Sequence, residues 1–308
     1  MSGPDSPVFA GVDIGGTTTQ VVLCDEELKV LDRADTATPA RTGGRAMIAA
    51  TLDALAVVRA RTPGRLAAVG VGAAGVVDAA GGHILVASDS FTDWAGFPVT
   101  AALRTALGVP AFLDNDVNAF LRGEIACGAA ADEEDVLGMT LGTGVGGALW
   151  TGGELRTGAH GAAGEIGHIP GFGDLPCTCG GRGHLETLAS ARSLRARYGE
   201  RTGRELTARE VAEAARDGDA DAHGVFAAAG AGIARAIVMT AGLVDIGTVV
   251  IGGGVSGAWT LLEPLIREPL AAEPPISGHP VKLLRAALGP DAVPLGAAAR
   301  ARHELTAR

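Results

Sequence analysis

The alternation of apolar and polar positions divides the chain into two successive series of strands and helices. The first series opens with two apolar β-type runs, at 8–14 and 19–24, that are joined by a short glycine turn. The chain therefore turns from strand to strand here, and not from strand to helix. The further elements predicted in this series are strands at 30–36, 66–71 and 111–113 and helices at 46–61 and 100–107.

The second series repeats the order of the first. An apolar run at 136–141 ends in a glycine-rich turn, and the chain returns as a strand through Trp150. This repetition predicts an internally duplicated α/β fold of two lobes, with a cleft between lobes whose glycine turns face each other. The further predicted elements are helices at 187–201, 207–216 and 220–243, a strand at 249–251 and a terminal helix at 295–303.

Composition and charge narrow the classes of partner. The chain has 308 residues and a net charge of −10, and its only lysines are Lys29 and Lys282. Since nucleic acids are bound by clustered lysine and arginine, we expect no nucleic-acid partner, and polyphosphate is disfavoured as a phosphate donor. The chain does not open with the charged segment and apolar run of a signal peptide, and polar residues interrupt every long apolar run. We therefore expect a cytoplasmic protein without a membrane span. Cys24 and Cys127 are predicted to be buried, reduced thiols.

The first glycine turn has the composition of a phosphate-binding segment. The turn Gly15-Gly16-Thr17-Thr18 exposes backbone N–H groups and adds hydroxyl donors. Asp13, which precedes it, can hold Mg²⁺ through water. The chain has no G-x-x-x-x-G-K-[ST] motif, which excludes a Walker P-loop. Taken alone, the segment could also be an ordinary hairpin turn.

The second glycine turn stands at the equivalent place of the second series. Gly142-Thr143-Gly144 opens a run of glycines that extends to Gly147, and such residues let the β- and γ-phosphates of a nucleotide lie close to the main chain. The run precedes a strand, so it does not fit the dinucleotide-binding fingerprint. Its pairing with the first turn favours a phosphate site in each series.

A polar segment follows the strand predicted at 111–113 and precedes a helix. Asp114-Asn115-Asp116 thus lies at the carboxyl end of a strand, where α/β proteins bind ligands. Phosphorylation of a hydroxyl needs a carboxylate that accepts its proton. The alternative is that Asp114, Asp116 or Asn118 only caps the helix.

Two cysteines and two histidines form the most specific block of the sequence. A two-residue C-x-C is a poor disulfide but a natural metal site, and four ligands make a closed, structural zinc site. Glu165 and Glu186 flank the block with acceptors suited to hydroxyl groups. The alternative is a set of unrelated polar loop residues. The four candidate ligands are His168, Cys177, Cys179 and His184.

Together these motifs resemble the ROK family (repressor, open reading frame, kinase) of the sugar kinase, chaperone ATPase and actin superfamily. The resemblance runs nearly end to end and implies an ATP-dependent hexose kinase with a duplicated, ribonuclease H-like fold. It implies a small lobe at 1–115 plus 295–308 and a large lobe at 116–294. The motifs that carry it are 11–17, 72–78, Asn115-Asp116, 142–147, 164–186 and 250–255.

The resemblance also implies roles for single residues. Asp116 matches the catalytic base, and His168 can serve both zinc and sugar because its ring has two nitrogens. The residues implied to bind sugar hydroxyls are Asn115, Glu165, His168 and Glu186. Those implied to bind ATP with Mg²⁺ are Asp13, Gly15, Gly16, Thr17, Thr18, Gly142, Thr143, Gly144, Gly253 and Gly254.

Glucose is the expected substrate, with N-acetylmannosamine, N-acetylglucosamine or fructose as alternatives, and we expect a homodimer or homotetramer. Two positions depart from the family pattern: His184 stands where a third cysteine is usual, and Gly72-Ala73-Ala74-Gly75 replaces Gly-x-Pro-Gly. Repressor members carry a winged helix ahead of the kinase fold, and none is expected here because the first strand begins near Val8. The competing classes are a non-catalytic sugar-sensing protein and a chaperone-like ATPase.

Overall fold

The computed structural model describes residues 6–306 and divides the chain into two compact units. The first unit contains the chain up to Asp132, Thr157–Ala163 and the chain from Ala287 onward; the second contains Glu133–Arg156 and Gly164–Ala286. The ends of the predicted small lobe, 1–5 and 307–308, lie outside the described residues.

The first unit is built on a mixed five-stranded sheet of order β3-β2-β1-β4-β7. Neighbours β1–β2 and β2–β3 are antiparallel, whereas β1–β4 and β4–β7 are parallel. A small β5–β6 hairpin, which was not predicted, lies outside this sheet. The elements are β1 (Pro7–Ile14), β2 (Thr18–Cys24), β3 (Val30–Ala37), α1 (Gly44–Arg61), β4 (Arg65–Ala73), β5 (Val76–Asp78), β6 (His83–Val86), α2 (Val99–Leu107), β7 (Ala111–Asn115), α3 (Asp116–Cys127) and, at the end of the chain, α9 (Ala292–Thr306).

The second unit repeats this sheet, with the order β10-β9-β8-β11-β12 and the same sequence of antiparallel and parallel pairs. The predicted internal duplication is therefore confirmed. The elements are β8 (Val136–Leu141), β9 (Val145–Thr151), β10 (Glu154–Arg156), α4 (Glu186–Ala189), α5 (Ala191–Thr202), α6 (Ala208–Arg216), α7 (Ala220–Val244), β11 (Thr248–Gly252), α8 (Trp259–Ala272) and β12 (Lys282–Arg285).

Helix α9 packs against β1, β4 and α3, which explains why the first unit extends beyond residue 115. The approach is so close that a Cβ at Gly11 or Gly70 would overlap backbone atoms of α9. Glu124 on α3 is fully buried, and its carboxylate accepts from the backbone N–H groups of Ala129, Ala287 and Leu288. These contacts hold α3 in the first unit, which runs to Asp132, whereas the boundary that the resemblance implied lies at 115.

Helix α7 forms the centre of the second unit and packs against α4, α5, α6 and α8. By length and composition it is also the one helix among residues 6–306 that could cross a membrane. Eleven of its residues are buried, many of them in the core cluster of this unit. That packing is typical of the core helix of a globular unit.

Three local expectations differ from the structure. The helix predicted at 187–201 is two helices, because Ser190 has extended backbone angles and its hydroxyl caps α5 by accepting from the N–H of Ser193. Cys24 is buried as predicted, but Cys127 is exposed because it is the last residue of α3. Helix α8 was not predicted, since Pro264 and Pro269 interrupt its sequence pattern.

Candidate active site and metal cluster

The candidate acidic residues of the first unit lie at the carboxyl ends of parallel strands. The register pairs Asp13 on β1 with Gly72 on β4, and Gly72 with Asp114 on β7. Asp116, two residues further, is the first residue of α3. Gly72 separates the two acidic strands, and a Cβ there would crowd Val293 and Ala119. Asp13 and the Asp114–Asp116 segment therefore share one edge of the sheet.

Asp13 and Asp116 are electrostatically coupled within this unit. Burial and, secondarily, the negative charge of Asp116 raise the pKa of Asp13 to about 7. A carboxyl group with such a pKa is partly protonated at neutral pH in the absence of a cation. The arrangement therefore favours a positive ion at Asp13, since a bound cation offsets both the burial and the neighbouring charge.

Asn115 fixes the start of α3. Its Oδ1 accepts from the N–H groups of Val117 (2.9 Å) and Asn118 (3.3 Å), and its Nδ2 donates to the carbonyl of Gly75 (2.9 Å). The helix cap is thus Asn115 and not Asp114, Asp116 or Asn118. One Nδ2 hydrogen is left over from these contacts, because an amide carries two donors. Asn115 can therefore hold the Gly72–Gly75 segment and still donate to a hydroxyl.

Asp114 has a different role from its neighbours. It is 1% exposed and accepts from Arg122 Nε at 2.9 Å and from Arg300 at 2.7 Å. Burial raises the pKa of Asp114, and the charges of Arg300 and Arg122 oppose that rise. Sequence reasoning could not predict this triad, because Arg300 lies 186 residues away from Asp114 along the chain. Asp114 therefore fastens β7 to α3 and α9.

The two glycine turns are held by different groups. In the first turn Gly15 N–H donates to Thr18 O, and Thr38 N–H donates to Thr17 O at 2.9 Å. In the second, Gly142 N–H donates to Gly144 O at 2.9 Å and Ala191 N–H donates to Gly142 O at 2.8 Å.

Glu186 and Gly253 also contact the second turn. Glu186 Oε2 accepts from Val145 N–H at 3.0 Å, and a Cβ at Gly144 would overlap that oxygen. Gly253, with φ of 83°, lies against the backbone of Leu141, the last residue of β8, and Gly254 begins a 3-10 turn.

The Cys and His side chains predicted as zinc ligands do come together. One ligand atom from each of the four lies within 4.8 Å of the others. Cys177 Sγ is 3.7 Å from His168 Nδ1, and Cys179 Sγ is 3.3 Å from His184 Nδ1. Tetrahedral zinc with its usual bond lengths separates neighbouring sulfur and nitrogen ligands by about 3.5 Å. The donor set and its spacing therefore fit Zn²⁺.

Carboxylates surround this cluster in the second unit. Removal from water raises the pKa of Glu165, His168 lowers it, and the charge of Glu186 raises it further. Glu186 Oε1 accepts from the hydroxyl of Thr178 at 2.9 Å. Glu165, His168 and Glu186 thus lie close enough to interact, as expected for ligands of one group. Sequence reasoning missed Thr178, and its place between two cysteines was the available signal.

The predicted residues fall into two sets, one in each unit. The first unit holds Asp13, the Gly15–Thr18 turn, Asn115 and Asp116 at one sheet edge. The second holds the Gly142–Gly147 turn, Gly253, Glu165, Glu186 and the metal cluster. The two sheets have the same strand order, and each has a glycine turn between two antiparallel strands, β1 and β2 in the first unit and β8 and β9 in the second. This arrangement is the two-lobed fold of sugar kinases.

Comparisons with known proteins identify the family. The ROK family model matches residues 9–304. A glucokinase of Thermotoga maritima is 34% identical over 274 residues, 84% of this chain and 85% of that protein. An N-acetylmannosamine kinase of Escherichia coli O1:K1 is 31% identical over 296 residues, 96% of this chain and 98% of that protein. The structure of a Streptomyces griseus ROK glucokinase with glucose and AMPPNP has a TM-score of 0.83 at 32% identity, covering 96% of this chain and 99% of that chain. The chain belongs to the ROK family.

Proposed function

We propose that this ATP-dependent sugar kinase phosphorylates glucose on its C6 hydroxyl, with Asp116 as the general base. The observation that carries this assignment is the pair of electrostatically coupled carboxylates, Asp13 near the end of β1 and Asp116 just after the end of β7, on either side of β4. One can accept the proton of the sugar hydroxyl while the other holds a cation near the phosphates. A carboxylate pair is needed for transfer and would be unnecessary for sugar sensing alone.

The first unit supplies the base and one phosphate site. Asp116 takes the hydroxyl proton, and Asn115, held by α3 and Gly75, donates to a neighbouring hydroxyl. The exposed Gly16, Thr17 and Thr18 offer their N–H and hydroxyl groups to phosphate oxygens. Mg²⁺, when bound, neutralises the phosphate charge, and Asp13 would hold it through water.

The second unit supplies hydroxyl acceptors and the other phosphate site. Glu165, His168 and Glu186 would accept from the ring hydroxyls, and the Gly142–Gly144 turn and Gly253–Gly254 would bind the nucleotide. A carboxylate has about four lone-pair sites, so Glu186 retains capacity beyond its bonds to Thr178 and Val145. Zn²⁺ would be held by His168, Cys177, Cys179 and His184 and would give the loop a fixed shape.

The test is ATP consumption by the purified chain with glucose, N-acetylmannosamine, N-acetylglucosamine and fructose, compared as kcat/KM. We expect glucose to lead and the sugar-free rate to be negligible. ATP consumption that does not depend on sugar would contradict a sugar kinase and favour a chaperone-like ATPase. Sugar binding without ATP consumption would instead favour a sensing protein.

The second candidate substrate is N-acetylmannosamine, which the kinase relative of Escherichia coli O1:K1 is named for. Ala73 and Ala74 are small residues in the segment that Asn115 holds, so space for an acetyl group is compatible with the chain. If kcat/KM for N-acetylmannosamine exceeds that for glucose about tenfold or more, N-acetylmannosamine is the substrate. The proposed mechanism would be the same for either sugar.

We further propose a cytoplasmic homodimer or homotetramer without nucleic-acid or membrane partners. The net charge of −10 supports the part of this proposal that concerns nucleic acids, and the core position of α7 supports the part that concerns membranes. Light scattering after size exclusion would measure the oligomeric state.

A further inference from the structure

A chain of contacts connects the metal cluster with the second glycine turn. Thr178 lies between the two candidate ligands Cys177 and Cys179, and its hydroxyl donates to Glu186 Oε1 at 2.9 Å, an oxygen that Cys177 Sγ contacts only at 3.9 Å. The other carboxylate oxygen of Glu186 accepts from Val145 N–H at 3.0 Å. Val145 directly follows the Gly142–Gly144 turn. One carboxylate thus joins the metal loop to the proposed nucleotide turn.

Two further contacts make this connection stiff. Gly144 has no Cβ, and one would overlap Glu186 Oε2, so the carboxylate fills the space beside the turn. The backbone carbonyl of Glu186 accepts from Ser193 Oγ at 2.8 Å, while Ala191 N–H donates to Gly142 O. The segment that carries Glu186 therefore holds the turn by both side chain and main chain. A shift of the carboxylate would change the position of the Val145 N–H group.

We propose that Thr178 is a positioning residue that couples metal occupancy of the Cys/His cluster to nucleotide affinity at the Gly142–Gly147 turn. This inference rests on the proposed function, because it takes that turn as a nucleotide site. Metal in the cluster fixes the two cysteines on either side of Thr178, and its hydroxyl then holds Glu186 in place. Glu186 keeps Val145 N–H, and with it the turn, in a single arrangement for phosphate.

The coupling is reciprocal by linkage: nucleotide must also strengthen the retention of metal by the same factor. This consequence separates coupling from a merely structural role of the loop. A structural role would lower stability without joining the two affinities. The effect expected in the wild type is about fivefold or more, the lower end of measured couplings.

The experiment measures the dissociation constant of AMPPNP with Mg²⁺ by calorimetry, without sugar, on zinc-loaded and chelator-treated protein. We expect the zinc-loaded wild type to bind AMPPNP more tightly than the chelator-treated wild type, by a factor of about five or more. Thr178→Val, which keeps the shape and removes the hydroxyl, should bring the ratio close to one, and Thr178→Ser should keep it. The reverse measurement is the dissociation constant of zinc, obtained from equilibrium competition with a chelator, with and without AMPPNP.

A matched control lies in the same loop. Asp174 accepts from Arg182 at 2.8 Å and 3.0 Å and does not contact Glu186, so Asp174→Asn loosens the loop without breaking the proposed connection. We expect it to keep the wild-type ratio. Circular dichroism of each zinc-loaded variant verifies folding, and Thr178 is exposed, so its valine variant should fold.

An unchanged ratio in Thr178→Val, or a ratio of one in wild type, would overturn the coupling while leaving the kinase assignment intact. A wild-type chain that binds no nucleotide would overturn the proposed function and this inference together.

Discussion

The two units carry glycine turns at the same place of equivalent sheets, yet different groups hold those turns. In the first unit the supports come from Thr38, the residue directly after β3, through its N–H and the 2.7 Å contact between the hydroxyls of Thr19 and Thr38. In the second unit they come from Glu186 and Ala191, about 45 residues further along the chain. Duplication therefore preserved strand order but not the groups that stabilise the turns.

The ends of the equivalent strands β7 and β12 differ as well. Strand β7 ends in the polar segment that begins α3 and carries Asp116. Strand β12 ends at Arg285 and is followed by Ala286 and Ala287. The first unit thus holds the candidate base, whereas the second holds the candidate hydroxyl acceptors and the Cys/His cluster. Sheets of the same strand order therefore carry different candidate residues in the two units.

The sharpest test of this division is Asp116→Asn. Because the amide cannot accept the hydroxyl proton, kcat should fall at least about 10²-fold, the usual contribution of a general base, while sugar affinity is kept. Steady-state kinetics and calorimetry with glucose measure the two quantities. Asp132→Asn, in an exposed part of the same unit, is the charge control. A variant with near wild-type turnover would place the base elsewhere.

A change in the second unit should act on metal and sugar instead. His184→Ala removes one of four ligands, so we expect purified protein to lose its near-stoichiometric zinc and about tenfold in glucose affinity. Elemental analysis, calorimetry and the melting temperature report these changes. His279→Ala, an exposed histidine of the same unit, should change none of them. Full activity and an unchanged melting temperature in zinc-free protein would exclude a structural metal.

The smallest expected effect is a gain in stability from Asp13→Asn. The carboxyl of Asp13 titrates near 3.8 in the unfolded chain and near 7 in the folded one, so the folded state holds an extra proton between these values. The free energy of unfolding therefore falls as pH rises from about 4 to 7, and the ionisation of Asp13 lowers it no further above about pH 7. At pH 8 the variant should be more stable than the wild type by about 1–2 kcal/mol. This gain is part of the roughly 4 kcal/mol to which a pKa shift of about three units corresponds.

Urea unfolding at pH 4 and pH 8, without Mg²⁺ or nucleotide, measures this gain. The two proteins should be equally stable at pH 4. Asp53→Asn removes a negative charge from an exposed position of α1 and should show no such pH dependence. An equal difference at both pH values would mean that Asp13 has an ordinary pKa.

Much of the local architecture could be predicted from the sequence. The strands at 8–14 and 136–141 are strongly apolar, and the helix predicted at 207–216 begins with a capping box of Thr207 and Glu210. Predictions went wrong where a single residue competed with the pattern. Ser190 interrupts a helical pattern, and two prolines concealed α8. Cys127 lies on the predicted helix but at its exposed end, which periodicity alone does not reveal.

The sequence by itself determined the features that depend on near neighbours: the two glycine turns, the compact Cys/His block and the succession of strands along the chain. Only the tertiary structure decided which distant groups meet. The coupling of Asp13 with Asp116 requires parallel pairing through β4, and parallel strands need long connections whose register no local pattern fixes. The same holds for Arg300 on Asp114 and for Glu186 on Val145, because side chains far apart in the chain become neighbours only when packed elements bring them together.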